Sequence, residues 1–145
     1  MQFILKDVFR KITRLLQNFS ALEIYTDGSC KNGLGSWAYV ISKRGNHLVE
    51  NSGRIQRTNS TLMEFQAAIE ALSSVPVNSK IILFSDSKIM VDAMHLGRAP
   101  HAFQSQFDKL RKLNDSFNVN WRWVKAHNGN KWNERCDELC VFARI

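Results

Sequence analysis

The hydrophobic pattern of this chain changes along its length, and the change restricts the folds open to it. Three short β-rich runs come first, at residues 22–27, 36–42 and 47–53, separated by turns that contain glycine. These runs predict three sequential antiparallel strands. Beyond residue 60 the pattern alternates between helix-like and strand-like segments. Residues 81–84, Ile-Ile-Leu-Phe, have the continuous apolar character of a strand buried in a parallel sheet.

The remaining predicted elements alternate around that apolar strand. They are helices at 62–74, 87–96 and 103–117, strands at 80–86 and 118–124, and a closing helix at 131–143. The order βββαβααβα predicts an α/β fold in which a mixed central sheet carries helices on its faces.

Length and composition limit the possible partners and locations. The 145 residues fit one domain, and the net charge of +7 favours polyanions such as nucleic acid, although a solubilising surface is the commoner reason for basic composition. The three cysteines are odd in number and lack zinc-site spacing, so we interpret them as reduced thiols in a reducing compartment. No apolar run approaches the roughly 18 residues of a membrane span. We expect a cytoplasmic monomer without a membrane span.

Residues 1–20 differ from the rest, which we assign to one domain at 21–145. Their apolar residues recur at helical spacing, and four of their side chains are basic against one acid, Asp7. The basic residues are Lys6, Arg10, Lys11 and Arg14. This pattern predicts a basic amphipathic helix. It could pack on the domain, contact nucleic acid, act in targeting or at a membrane surface, or be disordered.

Two acids are the last residues of predicted apolar strands. Asp27 ends Tyr-Thr-Asp and Asp86 ends Phe-Ser-Asp. Ligand sites in open α/β sheets lie beyond the carboxyl ends of parallel strands, so neighbouring strands would bring these carboxylates together. Such a pair repels unless a cation neutralises it, and oxygen ligands suit Mg²⁺ or Mn²⁺. Two ions roughly 3.5–4 Å apart can drive phosphodiester hydrolysis, and holding them takes about four acids.

Each candidate acid also has an ordinary structural explanation. Glu64 completes a capping-box pattern that begins at Thr61. Asp86 could cap the following helix, and Asp27 could be a turn residue. Asp137 could be a solvated charge on the closing helix. No single acid therefore identifies a site.

Four sequence blocks, taken in order, closely resemble those of ribonuclease H type 1. They read YTDGSC, LMEFQAAIEAL, FSDSKIMVDA and WRWVKAHNGNKWNERCDELC, and the resemblance spans about residues 22–143. It implies a ribonuclease H-like α/β fold with a five-stranded mixed sheet, three antiparallel strands followed by two parallel ones, and helices on both faces. It also implies an endonuclease that hydrolyses the RNA strand of RNA–DNA hybrids, leaving 3′-hydroxyl and 5′-phosphate ends. The implied cofactor is two Mg²⁺ ions, for which Mn²⁺ may substitute.

The resemblance assigns roles to five residues. Asp27, Glu64, Asp86 and Asp137 match the four acids that coordinate the two ions and are catalytic in the family. His127 matches a histidine on a flexible loop, which moves protons or helps product leave. An imidazole with a pKa near 6.5 suits that task.

Substrate contacts are implied around the first hairpin and the first helix. Cys30 and Asn32 match loop positions that meet RNA, where backbone groups can sense 2′-hydroxyls. Ser60 and Thr61 occupy the positions where the family usually has asparagine, and Asn59 lies one place further out. The glycines of this region allow either close backbone approach or tight turns.

This chain departs from the family pattern in how it would hold a hybrid. Its glycine loop is short, KNGLGSW, and residues 92–106 leave no space for the basic protrusion of many bacterial members. We hypothesise that residues 1–20 compensate. Two alternatives remain: a hybrid-binding module without activity, and a recombinase or transposase with the same catalytic fold. The four tryptophans are interpreted as core residues rather than stacking platforms.

Overall fold

The computed structural model describes residues 5–8 and 20–145. Ten elements lie within 20–145: β1 Leu22–Lys31, β2 Leu34–Lys43, β3 Asn46–Gln56, α1 Ser60–Ser73, β4 Lys80–Ser85, α2 Lys88–Leu96, a 3₁₀ turn His101–Phe103, α3 Gln104–Asn114, β5 Asn118–Trp123 and α4 Lys131–Ala143. Residues 5–8 are helical. The rest of the predicted N-terminal helix lies outside the described residues.

The strands form one mixed sheet in the order β3-β2-β1-β4-β5. β1 pairs antiparallel with β2, and β2 pairs antiparallel with β3. β4 is parallel to both β1 and β5. The predicted five-stranded sheet, with three antiparallel strands followed by two parallel ones, is therefore confirmed.

The first two strands are longer than predicted because their connection is a two-residue turn. β1 continues through Asp27 and Gly28 to Lys31, which pairs with Leu34. The turn is Asn32-Gly33, with φ angles of 53° and 79°. Asn-Gly with two positive φ angles is typical of the tight hairpin turn whose twist matches that of the paired strands. Gly33 is thus the turn glycine of this loop.

Helices cover both faces of the sheet, as predicted. α1, α2 and α3 pack on one face, where Ile24, Leu83 and Trp121 of the strands are buried against residues such as Phe65 and Phe107. Helix α4 covers β1 and β2 on the other face. Its buried Cys136 and Cys140 lie against Tyr25, Ala38 and Val40. All three cysteines are free, in agreement with the predicted reduced thiols.

The connection between α2 and α3 is short. Gly97, with a φ of 75°, ends α2, and residues 98–103 contain one 3₁₀ turn before α3 begins. Helix α3 ends at Asn114, three residues before the predicted end. This short connection between α2 and α3 leaves no room for a helical protrusion, as predicted. No helix among the described residues has the length and hydrophobicity to cross a membrane.

Candidate active site

Asp27 and Asp86 meet where β4 leaves the sheet. The pairing of β1 with β4 ends at Thr26 and Ser85. Asp27 is the next residue of β1, and Asp86 immediately follows β4. The prediction that these strands are neighbours is confirmed, but the prediction that Asp27 ends its strand is wrong. β1 continues beyond Asp27 because it is still paired with β2, in which Ala38 is its partner.

Glu64 reaches the same place from the second turn of α1. The cap of α1 is Asn59, whose Oδ1 accepts a hydrogen bond from the Leu62 N–H at 3.0 Å. The capping-box interpretation of Thr61 and Glu64 is therefore wrong. The cap at α2 is Ser87, so Asp86 is not a capping residue either.

Close packing at Gly28 brings α1 against β1. A Cβ at Gly28 would collide with the backbone of Met63 and Glu64. Since only glycine lacks that atom, the helix can approach the strand directly beside Asp27. Gly35 also permits close approach, here to the side chains of Thr58 and Met63.

Asp27, Glu64 and Asp86 form a compact carboxylate trio. One oxygen from each lies within 4.8 Å of the others. Asp27 is 6% exposed and Glu64 is 8% exposed, and Asp86 is half-buried. Three carboxylates this close to one another destabilise their shared negative charge.

The pKa values of the trio record this environment. Burial, followed by the charges of Asp86 and Asp137, raises the pKa of Asp27 to about 7. Burial and the charges of Asp27 and Asp86 raise the pKa of Glu64 well above its usual value. Burial also raises the pKa of Asp86, although a hydrogen bond from Glu64 and the charge of His127 oppose the rise. Without a cation, this environment therefore favours the protonated form of these carboxyl groups.

The trio fits a divalent cation. Glu64 Oε2 is buried and has no hydrogen-bond partner, which is costly unless a ligand satisfies it. Carboxylate oxygens are the donors that Mg²⁺ and Mn²⁺ prefer, and a cation would remove the repulsion that raises the pKa values. These three residues could therefore hold a metal ion.

Asp137 and His127 lie at the border of the trio. Asp137 is half-buried on α4, and its charge raises the pKa of Asp27 and Asp86. It is outside the group whose oxygens lie within 4.8 Å of one another. His127 is exposed on the loop between β5 and α4, with a φ of 54°. Its charge lowers the pKa of Asp86.

The predicted substrate-binding residues lie around the first hairpin and the start of α1. Cys30 is half-buried, and its Sγ donates to the Thr58 carbonyl at 3.3 Å. The Thr58 N–H donates to the carbonyl of Gly33, which joins the hairpin turn to the segment before α1. Ser60 and Thr61 form the first turn of α1. The Asn59 side chain is occupied by its capping bond.

A shallow pocket beside this hairpin contains a basic residue that the sequence interpretation did not single out. Its lining residues are Asn32, Gly33, Leu34, Gln56 and Arg57. Arg57 has a φ of 57° and follows the last residue of β3. Only the pairing of the strands brings it close to Asn32, so spacing in the sequence could not have identified it.

Trp123 is a second residue that the sequence interpretation misjudged. The core-packing prediction is confirmed for Trp121, which is 5% exposed, but it is wrong for Trp123, which is 50% exposed. The Trp123 indole N–H donates to the main-chain carbonyl of Asp86 at 3.1 Å. This contact joins the end of β5 to the trio.

Comparison with known proteins identifies relatives of this chain. A family model described as RNase H matches residues 20–144. A ribonuclease HI of Synechocystis sp. is 35% identical over 140 residues, which cover 86% of this chain and 88% of the relative. A ribonuclease H of Campylobacter jejuni subsp. jejuni is 37% identical over 134 residues, which cover 86% of this chain and 91% of the relative.

Solved structures share the same fold. LC11-RNase H1 in complex with an RNA/DNA hybrid has a TM-score of 0.75 at 23% identity, covering 85% of this chain and 96% of that chain. The RNase H1 of Halobacterium salinarum NRC-1 has a TM-score of 0.74 at 21% identity, again covering 85% of this chain and 96% of that chain. At this level of identity the likeness establishes the fold.

Proposed function

This chain belongs to the RNase H family of endoribonucleases, and we propose that it hydrolyses the RNA strand of RNA–DNA hybrids. The observation that carries the proposal is the buried trio of Asp27, Glu64 and Asp86, whose oxygens lie within 4.8 Å of one another. A pure binding surface for a polyanion would gain nothing from three buried acids, because they repel phosphate as well as one another.

The proposed cofactor is a pair of Mg²⁺ ions, with Mn²⁺ able to substitute. Asp27, Glu64 and Asp86 would hold the ions, and Asp137 would complete the ligand set from α4. When bound, two such ions activate the attacking water and stabilise the leaving oxygen, which gives 3′-hydroxyl and 5′-phosphate products. The repulsion that raises the pKa of Asp27 and Glu64 supports this proposal, because cations would relieve it.

His127 is proposed to move protons at the site. Its imidazole is exposed, lies on a loop, and acts electrostatically on Asp86. An exposed imidazole can exchange protons with water and with a reacting oxygen near neutral pH. The loop position would also let it withdraw when product leaves.

Substrate recognition is proposed to involve Cys30, Asn32, Ser60 and Thr61. They lie on the hairpin turn and the first turn of α1, which the Thr58–Gly33 bond holds together. In this proposal, backbone groups there would meet the shallow minor groove and its 2′-hydroxyls. We further propose that residues 1–20 form a separate basic segment ahead of the catalytic domain at 21–145, and that the protein is a cytoplasmic monomer.

A cleavage assay tests the proposal. Labelled RNA–DNA hybrid, double-stranded RNA and a duplex with one embedded ribonucleotide are each incubated with Mg²⁺, Mn²⁺ or EDTA. We expect the hybrid to be cut with either metal and not with EDTA, and the new 5′ ends to be labelled by polynucleotide kinase only after phosphatase treatment. Hybrid bound but not cut with either metal would instead indicate a binding module.

Two matched variants separate the site from general charge effects. Asp86→Asn removes one charge from the trio and should lower cleavage at least about 100-fold. Asp92→Asn removes an exposed acid on α2 and should leave cleavage unchanged. Equal losses in the two variants would contradict the assignment of the site.

A further inference from the structure

The half-exposed Trp123 lies where core packing does not account for it. Trp121 and Trp123 are two residues apart on β5, so their side chains point to the same face. Trp121 is buried in the core under the helices, at 5% exposure. Trp123 lies two residues nearer the carboxyl end of the strand and is 50% exposed. The reason for the position of the Trp123 ring therefore lies outside the core.

The hydrogen bond of Trp123 supplies that reason. Its indole Nε1–H donates to the Asp86 carbonyl at 3.1 Å. Sheet pairing ends one residue earlier, where the Val124 N–H donates to the Ser85 carbonyl at 2.9 Å. The Asp86 carbonyl is therefore the first beyond the ladder of β4 and β5. The indole gives it the partner that a continuing strand would have provided.

The other described bonds of this turn are local, joining residues within five positions of Ser85. The Ser87 N–H donates to Ser85 Oγ at 3.0 Å, and Ser87 Oγ caps α2 through the Met90 N–H at 3.3 Å. Both bonds lie within the segment that joins β4 to α2. The indole bond instead comes from β5, and so it holds the peptide of Asp86 relative to a separate strand.

Trp123 also begins the chain that carries His127. It is the last residue of β5, and residues 124–130 form the loop to α4. A single side chain thus ties the backbone of Asp86 to the start of the loop that presents His127. Movement of the Asp86 backbone or of the start of this loop would strain the hydrogen bond between Trp123 and Asp86.

We propose that Trp123 is a positioning residue, whose indole N–H holds the Asp86 peptide so that its carboxylate faces Asp27 and Glu64 in a geometry that binds a divalent cation. The inference rests on the proposed function of the trio as a metal site. Without the bond, only the Ser87 N–H bond to Ser85 Oγ holds the peptide between Asp86 and Ser87, so this peptide can shift and change the direction of the Asp86 side chain. Mg²⁺ tolerates little departure from octahedral geometry, so a small displacement weakens binding.

The test is Trp123→Phe, which keeps an aromatic ring and removes the N–H. Its matched control is Trp121→Phe, because the Trp121 indole also makes one bond, to Asn114 Oδ1 at 3.1 Å, away from the trio. Mg²⁺ affinity is measured by calorimetry without nucleic acid, and kcat and KM are measured on a hybrid. We expect Trp123→Phe to weaken Mg²⁺ binding and lower kcat about tenfold each, with KM for hybrid unchanged.

The control fixes what each result means. Trp121→Phe should lower Tm and leave Mg²⁺ affinity within about twofold of the parent, since its bond supports packing alone. Equal Mg²⁺ affinity in Trp123→Phe and the parent would overturn the inference, whatever the rate of hybrid cleavage in the variant. A parent that binds Mg²⁺ but cuts no hybrid would count against the proposed function while leaving the Trp123 comparison valid.

A measurement on the unaltered protein makes the inference independent of any variant. The indole N–H resonance of Trp123 should exchange with solvent at least about tenfold more slowly than that of free tryptophan, despite the exposed ring, because the N–H is bonded. It should also shift on addition of Mg²⁺ more than the Trp121 resonance does. Exchange at the free rate with no response to Mg²⁺ would overturn the inference.

Discussion

Asp27 has an environment that penalises its charge, and this is unusual for an aspartate in a strand. Burial and two neighbouring carboxylates raise its pKa to about 7. A cation would stabilise its ionised form, and so the residue links protonation, metal binding and folding. The other candidate roles of Asp27, Glu64 and Asp86 fail for local reasons, since the turn and both caps are formed by other residues.

The raised pKa of Asp27 predicts how stability depends on pH. Its value is about 7 in the folded chain, against an ordinary value of 3.8. Between these values the folded chain binds more protons than the unfolded chain, so the free energy of unfolding falls as pH rises. We expect the Tm of metal-free protein to fall from pH 5 to pH 8. Mg²⁺ should raise Tm more at pH 8 than at pH 5, because it binds the ionised carboxylates of the folded state.

Asp27→Asn is the variant that checks this dependence. It removes the titrating group, so scanning calorimetry should find a flatter Tm profile and a smaller response to Mg²⁺. Each kcal/mol of change in the free energy of unfolding corresponds to a Tm shift of roughly 3–5 °C in a domain of this size. A parent Tm that rises between pH 5 and pH 8, or an identical slope in the variant, would contradict the assignment.

Removal of the imidazole of His127 should separate turnover from binding. His127→Ala keeps the loop backbone but loses the group that exchanges protons, so we expect kcat to fall about 100-fold while KM for hybrid changes less than about threefold. Steady-state kinetics on a hybrid measures both. The control is His101→Ala, an exposed histidine in the 3₁₀ turn, which should match the parent. Losses of equal size in kcat and affinity would argue against a catalytic role.

Among the elements, the contact between β1 and α1 determines whether Glu64 can reach the site. Neither element presents a carboxylate cluster alone, since Asp27 belongs to the strand and Glu64 to the helix. Gly28 allows them to touch backbone to backbone. On the opposite face, Cys136 and Cys140 lie against β1, their thiols bonded to the Tyr25 and Asp27 carbonyls, and hold α4 and its Asp137 in place.

Gly28→Ala should push α1 away from β1. The new Cβ would collide with the backbone of Met63 and Glu64, which cannot move aside as a flexible side chain can. We expect a loss of about 1–3 kcal/mol in the free energy of unfolding and a marked loss of Mg²⁺ affinity. Denaturant titration and calorimetry measure the two effects.

The comparison variant for Gly28 is Gly45→Asn. Gly45 has a φ of 77° in the turn between β2 and β3, and a Cβ there would meet open space. Asparagine tolerates that conformation, so the change should cost less than about 1 kcal/mol and leave Mg²⁺ affinity intact. If Gly28→Ala proves as mild as Gly45→Asn, close approach is not what positions Glu64.

At the scale of the whole molecule, the open question is how the domain holds a hybrid. The segment between α2 and α3 is short, and residues 1–20 carry four basic side chains against one acid. Deleting residues 1–18 should raise KM for hybrid several-fold with kcat nearly unchanged, because fewer phosphate contacts release fewer counterions. Steady-state kinetics at several salt concentrations measures the effect, and an unchanged KM would end the hypothesis.

A charge-only variant serves as the control for that deletion. Glutamine in place of the four basic residues keeps the length of the segment and removes its charge. If charge is responsible, this variant should match the deletion and share its weaker salt dependence. A parent-like variant would mean that the segment acts through its apolar side instead.

The order of elements could be predicted from the chain itself, and the chain also gave a prediction of the four site acids. Hydrophobic period is a local property, so the β-rich runs, the apolar strand at 81–84 and the later helices could be predicted within a few residues. The ordered motif blocks predicted Asp27, Glu64, Asp86 and Asp137 as the site acids, although the surroundings of each acid were ambiguous.

Only the tertiary structure decided which of these residues meet and under what conditions. Because the hairpin turn has only two residues, β1 continues beyond Asp27. Because Asn59 caps α1, Glu64 has no capping role and its side chain is buried. Trp123 lies beside Asp86 because β5 pairs with β4, a contact between residues 37 positions apart. Burial and proximity depend on strand order and close packing between distant segments, and local patterns carry no information about either.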